Sequence, residues 1–142
     1  MDKNTKILIG VIIVLAVVIS GCTSENKSSS YKLYNGSAVS FEYPSSWTLN
    51  NESEKYEWIS FTTEDGQNIR VGYGVDEVVY ENFPETKEIN NRTYKRLETT
   101  VEGMDTTFLT LVVRENGRDF AVLGSLKDEE GMLKLIETFQ FK

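Results

Sequence analysis

The chain has 142 residues, and its 15 Lys and Arg against 22 Asp and Glu leave a formal net charge of −7. This length holds one domain and a tether but excludes a second hydrophobic core. The acidic balance argues against nucleic acid as a partner and against a polybasic attachment to anionic lipid.

The N-terminal segment has the pattern of an export signal. Two lysines precede an apolar run at residues 7–19, which is followed by small residues and Cys22. Such a run makes roughly 20 Å of helix, less than the ~30 Å hydrocarbon core, so a cleaved signal is favoured over a permanent span. Residues 19–22, ISGC, resemble a lipoprotein box, in which the cysteine is lipidated and becomes the mature N-terminus. We expect a lipoprotein-type signal peptide at residues 1–21, with an uncleaved anchor and an incidental cysteine as the alternative.

Residues 22–30 are expected to be the lipidated Cys22 and a flexible linker. The linker sequence TSENKSSS is small and polar, and a linker of this kind has a reach of roughly 15 Å. Cleavage before Cys22 leaves 13 basic and 21 acidic residues, a net charge of −8. Cys22 is the only cysteine and there is no histidine, which excludes an internal disulfide, thiol catalysis and a Cys/His metal site in the mature domain.

The first structured element predicted after the linker is a β-hairpin. Asn35-Gly36 suits the two positive-φ positions of a type I′ turn, so two short strands are expected within residues 31–43. The alternating apolar residues of the second strand then share one face. Pro44 ends this strand, and an extended piece from Trp47 leads into a polar loop at residues 50–55.

A second hairpin is predicted from two alternating segments. Residues 56–62 and 68–73 each place apolar and polar side chains on opposite faces, and Glu64-Asp65-Gly66 between them has turn chemistry. The following residues 75–83 fit a helical stripe that Asp76 would cap, but they could also prolong a strand.

The clearest pairing is predicted within residues 94–125. Strands are expected at residues 94–101, 106–114 and 118–125. Asn116-Gly117 fits a two-residue loop between the last two strands. That loop predicts one register with an apolar pair and two pairs of opposite charge: Val113 with Phe120, Glu115 with Arg118, and Arg114 with Asp119.

A helix is predicted near the C-terminus, because the hydrophobic period changes after Ser125. The residues expected to share its buried face are Met132, Leu133, Ile136 and Phe139, with Ser125 or Asp128 as the cap. The tail at residues 140–142 is expected to pack back on the domain. The domain at residues 31–142 is therefore predicted to be α+β, with about six to seven antiparallel strands and a helix.

Two motifs in this domain resemble the PsbP-like family. Residues 39–47, VSFEYPSSW, are similar to the F-x-Y-P-x-x-W pattern that opens the family's sheet. Residues 135–141, LIETFQF, are similar to its closing helix and terminal S-F-x-F, with Thr138 where serine is usual. The resemblance implies an α-β-α sandwich, in which helices flank a twisted antiparallel sheet. It also implies a setting among small exported lipoproteins, which are typical of methanogenic archaea.

The same resemblance implies an accessory role more than a reaction. Photosynthetic members of the family help retain calcium and chloride at a membrane complex, and a relative of the same fold is a Ran-binding regulator. No motif carries the functional residues of those proteins onto this chain, and a shared fold alone is a weak guide to function.

Candidate catalytic residues are sparse in the sequence. An acyl-transfer nucleophile needs a base within reach, and the serines lie in predicted turns and the linker of a chain without histidine. Nothing in the sequence pairs two carboxylates for glycoside chemistry, and residues 64–68 have the glycine of a calcium loop without its ligand spacing. We expect no catalytic residue, no cofactor and no dedicated metal site, while weak surface binding of divalent cations stays open.

Aromatic residues and sequons are the remaining candidate sites. Most aromatic side chains are expected in the core, but those on an outer face could form a recognition patch. The aromatic candidates are Trp47, Trp58, Tyr56 and Tyr73. Four N-x-S/T sequons lie in predicted linker, turn or loop, where they would be accessible to glycosylation outside the cell. Their asparagines are Asn26, Asn35, Asn51 and Asn91.

Two classes of function follow from the sequence. The first is a membrane-anchored extracytoplasmic lipoprotein that acts as a non-catalytic binding or accessory module for an unidentified envelope or membrane protein. The second is an extracytoplasmic carrier of a small ligand or cation, or a carboxylate-dependent hydrolase. A deep pocket with converging carboxylates would favour the second class, and a filled core with a flat aromatic or acidic face would favour the first.

Overall fold

A computed structural model describes residues 30–53, 58–74 and 80–142. Several predicted features lie outside these residues: the signal peptide, Cys22, the linker, Tyr56 and most of the segment at residues 75–83. Among the residues described, no helix has both the length and the apolar character needed to cross a membrane.

Ten strands and one α-helix make up the described chain. The strands are β1 (Tyr31–Asn35), β2 (Val39–Pro44), β3 (Thr48–Ser53), β4 (Trp58–Thr62), β5 (Asn68–Tyr73), β6 (Glu85–Ile89), β7 (Arg92–Thr100), β8 (Thr107–Glu115), β9 (Arg118–Ser125) and β10 (Gln140–Phe141), and the helix is α1 (Glu129–Thr138). Short 3-10 turns occupy Tyr80–Asn82 and Leu126–Asp128.

The strands form two antiparallel sheets. The larger has seven strands in the order β3-β4-β5-β9-β8-β7-β6, and the smaller has three in the order β1-β2-β10. The predicted α+β class and its antiparallel sheet are confirmed, and the C-terminal tail packs back as expected, because β10 pairs with β2.

The predicted register of the β8–β9 hairpin is confirmed. Asn116 and Gly117 have φ values of 52° and 76°, as a type I′ loop requires, and Val113 lies opposite Phe120. Of the two expected charge pairs, Arg114 does bind Asp119, with 2.7 Å between Nε and Oδ1. Glu115 lies opposite Arg118 in the register but forms its ion pair with Arg92 of β7 instead.

The first hairpin is present, but its turn differs from the prediction. β1 ends at Asn35 and β2 begins at Val39, so residues 36–38 connect them, and neither Asn35 nor Gly36 has a positive φ. The C-terminus accounts for the wider loop. Lys142 donates from its backbone N–H to the carbonyl of Ala38 and from its ammonium group to Asn35 and Gly36. A contact distant in the sequence therefore overrides the local turn preference.

Two strands were not expected from their composition. β6 is largely charged, and it joins β7 through Asn90-Asn91, whose φ values of 47° and 62° form a second left-handed two-residue turn. The prediction of a polar loop at residues 50–55 is wrong for residues 50–53, because β3 continues to Ser53. Both β3 and β6 lie at the edges of the large sheet, where polar side chains are tolerated because one flank faces solvent.

The core lies between the two sheets and α1. Phe41 of the small sheet contacts Phe61 and Phe120 of the large sheet, with ring centroids 6.1 and 5.7 Å apart. Phe120 also stacks on Phe139, which follows α1, at 4.2 Å. The face of the large sheet that carries these buried rings is called the inner face below, and the opposite one the outer face.

The buried stripe of α1 differs by one residue from the prediction. Met132, Leu135 and Ile136 are buried, whereas Leu133 is half-buried. The 3-10 turn at Leu126–Asp128 sets where α1 begins, and Ser125 caps that turn by accepting a hydrogen bond from the Lys127 N–H at 3.4 Å. Asp128 stands at the helix N-cap position but makes no side-chain capping bond.

The residues of the F-x-Y-P-x-x-W motif pack against the start of α1. Trp47 is 6% exposed, and its ring lies over Gly131 beside Pro44. A Cβ placed on Gly131 would lie 2.6 Å from Trp47 Cζ2 and 2.8 Å from Pro44 Cγ. Two rigid rings therefore require a glycine at this helical position, which explains the motif as a packing contact.

Gly131→Ala should destabilise the domain despite its better helix propensity. The propensity gain is about 1 kcal/mol, whereas overpacking against two rings that cannot move apart costs up to about 3 kcal/mol. We expect a net loss of about 2 kcal/mol in the free energy of urea unfolding. The neighbouring exposed substitution Glu130→Ala should cost less than about 1 kcal/mol; an equal or larger loss there would contradict the packing account.

Candidate functional site

A buried arginine on the inner face of the large sheet joins three carboxylates. Arg96 of β7 is 6% exposed and lies opposite Leu111 in the sheet register. Its Nε lies 2.8 Å from Glu129, and its two terminal nitrogens lie 3.1 Å from Glu85 and 2.6 Å from Glu98. These bonds, the one to Glu129 first, raise the pKa of Arg96 above its usual range. The guanidinium group is therefore permanently charged, and it links α1 to β6 and β7 through these carboxylates.

A second arginine of β7 engages the other end of α1. Arg92 Nη1 donates to the carbonyls of Ile136 and Phe139 at 2.7 and 3.0 Å. Its guanidinium carbon lies 4.1 Å from the Phe139 ring centroid, and its Nε lies 3.3 Å from Glu115. A cation on the last carbonyls of a helix is favourable because they carry the negative end of the helix dipole.

On the outer face, Arg114 is bound by two acids. It makes a bidentate contact with the buried carboxylate of Asp119, at 2.7 and 3.1 Å, and its Nη1 lies 3.0 Å from Glu81. The hydrogen bond to Asp119 is the main cause that raises the pKa of Arg114. Each of the three arginines is thus paired with at least one carboxylate of the described chain.

One hollow lies where the described chain begins. It has a volume of about 270 Å³ and is lined by Ser30, Tyr31, Pro44, Trp47, Lys127, Asp128, Glu130 and Gly131. Asp128 Oδ2 is buried there without a hydrogen-bond partner. Burial raises the pKa of Asp128 above its ordinary value, and the nearby charge of Asp65 adds to this effect while Lys127 opposes it.

Three further hollows are open and shallow. One of about 390 Å³ borders the Asn90-Asn91 turn, and one of about 510 Å³ borders the C-terminal end of α1. The third, of about 210 Å³, lies between residues 105–107 and 125–127. Within the described ranges, no three His, Cys, Asp or Glu side chains are grouped so that they could hold a metal ion.

The structure does not bring the predicted aromatic candidates together. Trp47 lies in the core, and Tyr73 is half-buried against it. Trp58 lies on the outer face of β4, half-buried, with the Arg70 guanidinium 5.1 Å from its ring centroid. Tyr56 lies outside the described residues.

The sequon asparagines occupy separate places. Asn91 is exposed in the β6–β7 turn, and Asn35 is exposed at the end of β1, where it binds Lys142. Asn51 lies on β3, and Asn26 lies outside the described residues together with Cys22. Asn91 is therefore the sequon whose described surroundings are most open.

Sequence reasoning missed the clusters around Arg92 and Arg96 and the buried environment of Asp128. Arg92 and Arg96 alternate with other residues along a strand, and their partners in α1 and at Phe139 lie 33 to 47 residues away in the chain. The one available signal was a pair of cations at inward positions of a strand otherwise facing a core. The environment of Asp128 depends on the packing of three elements, and no local pattern encodes it.

Solved structures of other proteins are similar to this fold. The solution structure of cyanobacterial PsbP, CyanoP from Synechocystis sp. PCC 6803, is similar with a TM-score of 0.55 and 11% identity, over 82% of this chain and 95% of that chain. A crystal structure from Bacteroides thetaiotaomicron VPI-5482 is similar with a TM-score of 0.56 and 16% identity, over 82% of this chain. This chain spans about half of that one, 49%. No protein-family model and no curated protein matches the sequence. The likenesses show a PsbP-like fold, as the sequence motifs predicted.

Asp128→Asn should stabilise the protein at pH 7 and not at pH 3. Because the folded state raises the pKa of Asp128, the folded protein favours the protonated carboxyl. That preference stabilises the folded protein fully at pH values below the unfolded pKa of ~3.9. The stabilisation is lost as the pH rises through the pKa that Asp128 has in the folded protein. Asn mimics the protonated form, so we expect a rise in melting temperature of less than about 4 °C at pH 7.

The matched control removes the same charge from an exposed position on the same helix end. Glu130→Gln should give no rise at pH 7, because an exposed acid there is favourable to the helix dipole. An equal rise in both variants would show that net charge, and not the burial of Asp128, is the cause.

Proposed function

We propose that this PsbP-like domain is a non-catalytic binding or accessory module, anchored through Cys22 to the outside of the cell membrane, where it serves an envelope or membrane protein. The likeness to a PsbP protein supports an accessory role by analogy of fold. The export signal and lipobox-like residues support the anchor.

One observation carries the proposal: the interior is filled, and the buried charged residues Arg96 and Asp119 are engaged in fold contacts. Aromatic rings fill the space between the sheets. Arg92 and Arg96 hold α1, and Asp119 is bound by Arg114. Catalysis requires a group left poised for proton transfer or attack. These groups serve packing, which favours recognition by the surface.

The alternative is a carrier of a small ligand or cation, or a hydrolase that uses a carboxylate. The observation that favours it is Asp128, whose raised pKa and unpartnered oxygen lie beside a hollow that also contains Glu130. A perturbed carboxyl in a cleft is a recognised sign of a site. The hollow beside Asp128 is small, and the described residues that line it include no catalytic group paired with Asp128. The carrier or hydrolase is therefore the second choice.

Cys22→Ser should abolish lipid labelling and move the protein from the membrane pellet to the soluble fraction. The sulfur is the atom that would carry the lipid, and serine keeps the size of the side chain without the thiol. Ser24→Ala, in the same segment, is the matched control and should leave both labelling and pelleting unchanged. Labelling that persists without Cys22 would refute the anchor.

A substrate screen tests the non-catalytic part of the proposal separately. The mature chain would be assayed against ester, glycoside, phosphate and peptide substrates, with and without chelator. Turnover that a single carboxylate substitution such as Asp128→Asn abolishes would place the hydrolase alternative first.

A further inference from the structure

Three exposed apolar side chains meet at the connection between β7 and β8. Val101, Met104 and Phe108, here called the tip patch, are 43%, 52% and 38% exposed. Thr99 pairs with Phe108 and Thr100 with Thr107, so Val101 and Phe108 are diagonal neighbours on the outer face. The Met104 N–H donates to the Val101 carbonyl at 3.1 Å, which closes the turn that follows β7.

The tip patch lies at the end of the domain where the described chain begins. The hollow beside the patch is lined by Asp105 and Lys127, and the neighbouring hollow is lined by Lys127 and Ser30. Lys127 thus borders both. Because the linker after Cys22 spans roughly 15 Å, an anchored protein would hold this end near the membrane surface.

Two acidic side chains flank the tip patch. Glu102 and Asp105 lie on either side of Met104 in the turn, and both are exposed. Asp105 shares the neighbouring hollow with Lys127, the basic residue on that side. The patch is therefore an apolar centre with an acidic rim formed by Glu102 and Asp105.

This charge pattern decides between the possible occupants. An anionic lipid surface would repel the acidic rim within a Debye length of ~10 Å at 0.1 M salt. A second copy of the chain in a symmetric contact would bring the same negative rim against itself. A protein surface with an apolar centre and a basic rim satisfies both the apolar and the acidic groups.

We propose that the tip patch docks onto a membrane-bound protein through an apolar surface edged by lysine or arginine. This inference rests on the proposed anchoring through Cys22. Met104 is well suited to such a contact, because its unbranched and polarisable side chain adapts to the shape of a partner. Glu102 and Asp105 select the partner by charge, while Val101 and Phe108 supply the surface that is removed from water.

The test is site-specific photocrosslinking of the full chain in native membranes. The photoreactive amino acid p-benzoylphenylalanine replaces Met104 in one variant and Leu33 in the control, since Leu33 is 64% exposed on β1 and lies outside the tip patch. We expect one crosslinked protein from position 104 and none from position 33. The crosslinked peptide should contain lysine or arginine beside apolar residues.

Charge reversal supplies the second readout. Glu102→Lys combined with Asp105→Lys should lower the crosslink yield from position 104 at least tenfold, and 0.5 M salt should lower it in the unreversed chain. Both acids are exposed in a turn, so the reversed chain should keep its melting temperature. The isolated mature domain should not bind vesicles of phosphatidylcholine and phosphatidylglycerol.

Each other outcome contradicts the proposal. Crosslinks to lipid, to a second copy, or equally from both positions would overturn it, as would an unchanged yield after charge reversal. Pelleting of the same samples separates this failure from that of the anchor. A chain that pellets without crosslinking refutes the tip patch alone, whereas a chain that stays soluble refutes the anchor.

Discussion

The fold depends on how two arginines of one strand hold the single described helix against the large sheet. Arg96 binds Glu129 in the first turn of α1, and Arg92 donates to the carbonyls of Ile136 and Phe139 at the other end. The four residue steps from Arg92 to Arg96 span ~13 Å of strand, and the seven steps from Glu129 to Ile136 span ~10 Å of helix. The two lengths agree closely enough for one pair of side chains to reach both ends. Glu129 and Arg92 also complement the helix dipole in sign.

This arrangement accounts for where function can reside. With α1 held over the inner face, Phe139 stacks on Phe120 and closes the core, and β10 reaches β2 just beyond. The buried cation is neutralised by acids that it also positions, so these charges are engaged in the fold. Under the proposed binding role, recognition would use surfaces that the packing leaves outside, such as the apolar turn beside Met104.

Local signals predicted some elements and distant contacts decided others. The register predicted from the Asn116-Gly117 loop was correct, because the turn, the charges and the apolar pair of this hairpin all favour the same register. The turn predicted at Asn35-Gly36 was misplaced. Lys142, more than a hundred residues away in the sequence, binds Asn35 and Gly36 and stabilises a wider loop there. The site was less predictable still. Phe108 belongs to a strand with alternating apolar and polar residues. The sequence predicts that this strand joins a sheet, but it does not show which face of the sheet the core will cover.

A double-mutant cycle on Arg96 and Glu129 tests the central claim that this pair holds α1 on the sheet. Arg96→Met, Glu129→Gln and the double variant would be unfolded in urea, with the pair Lys134 and Glu137 within α1, 3.9 Å apart, as the reference cycle. We expect a coupling free energy of about 1–3 kcal/mol for Arg96 and Glu129, against less than about 1 kcal/mol for the pair within the helix. Equal coupling in the two cycles would contradict the claim and leave packing alone as the cause of the helix position.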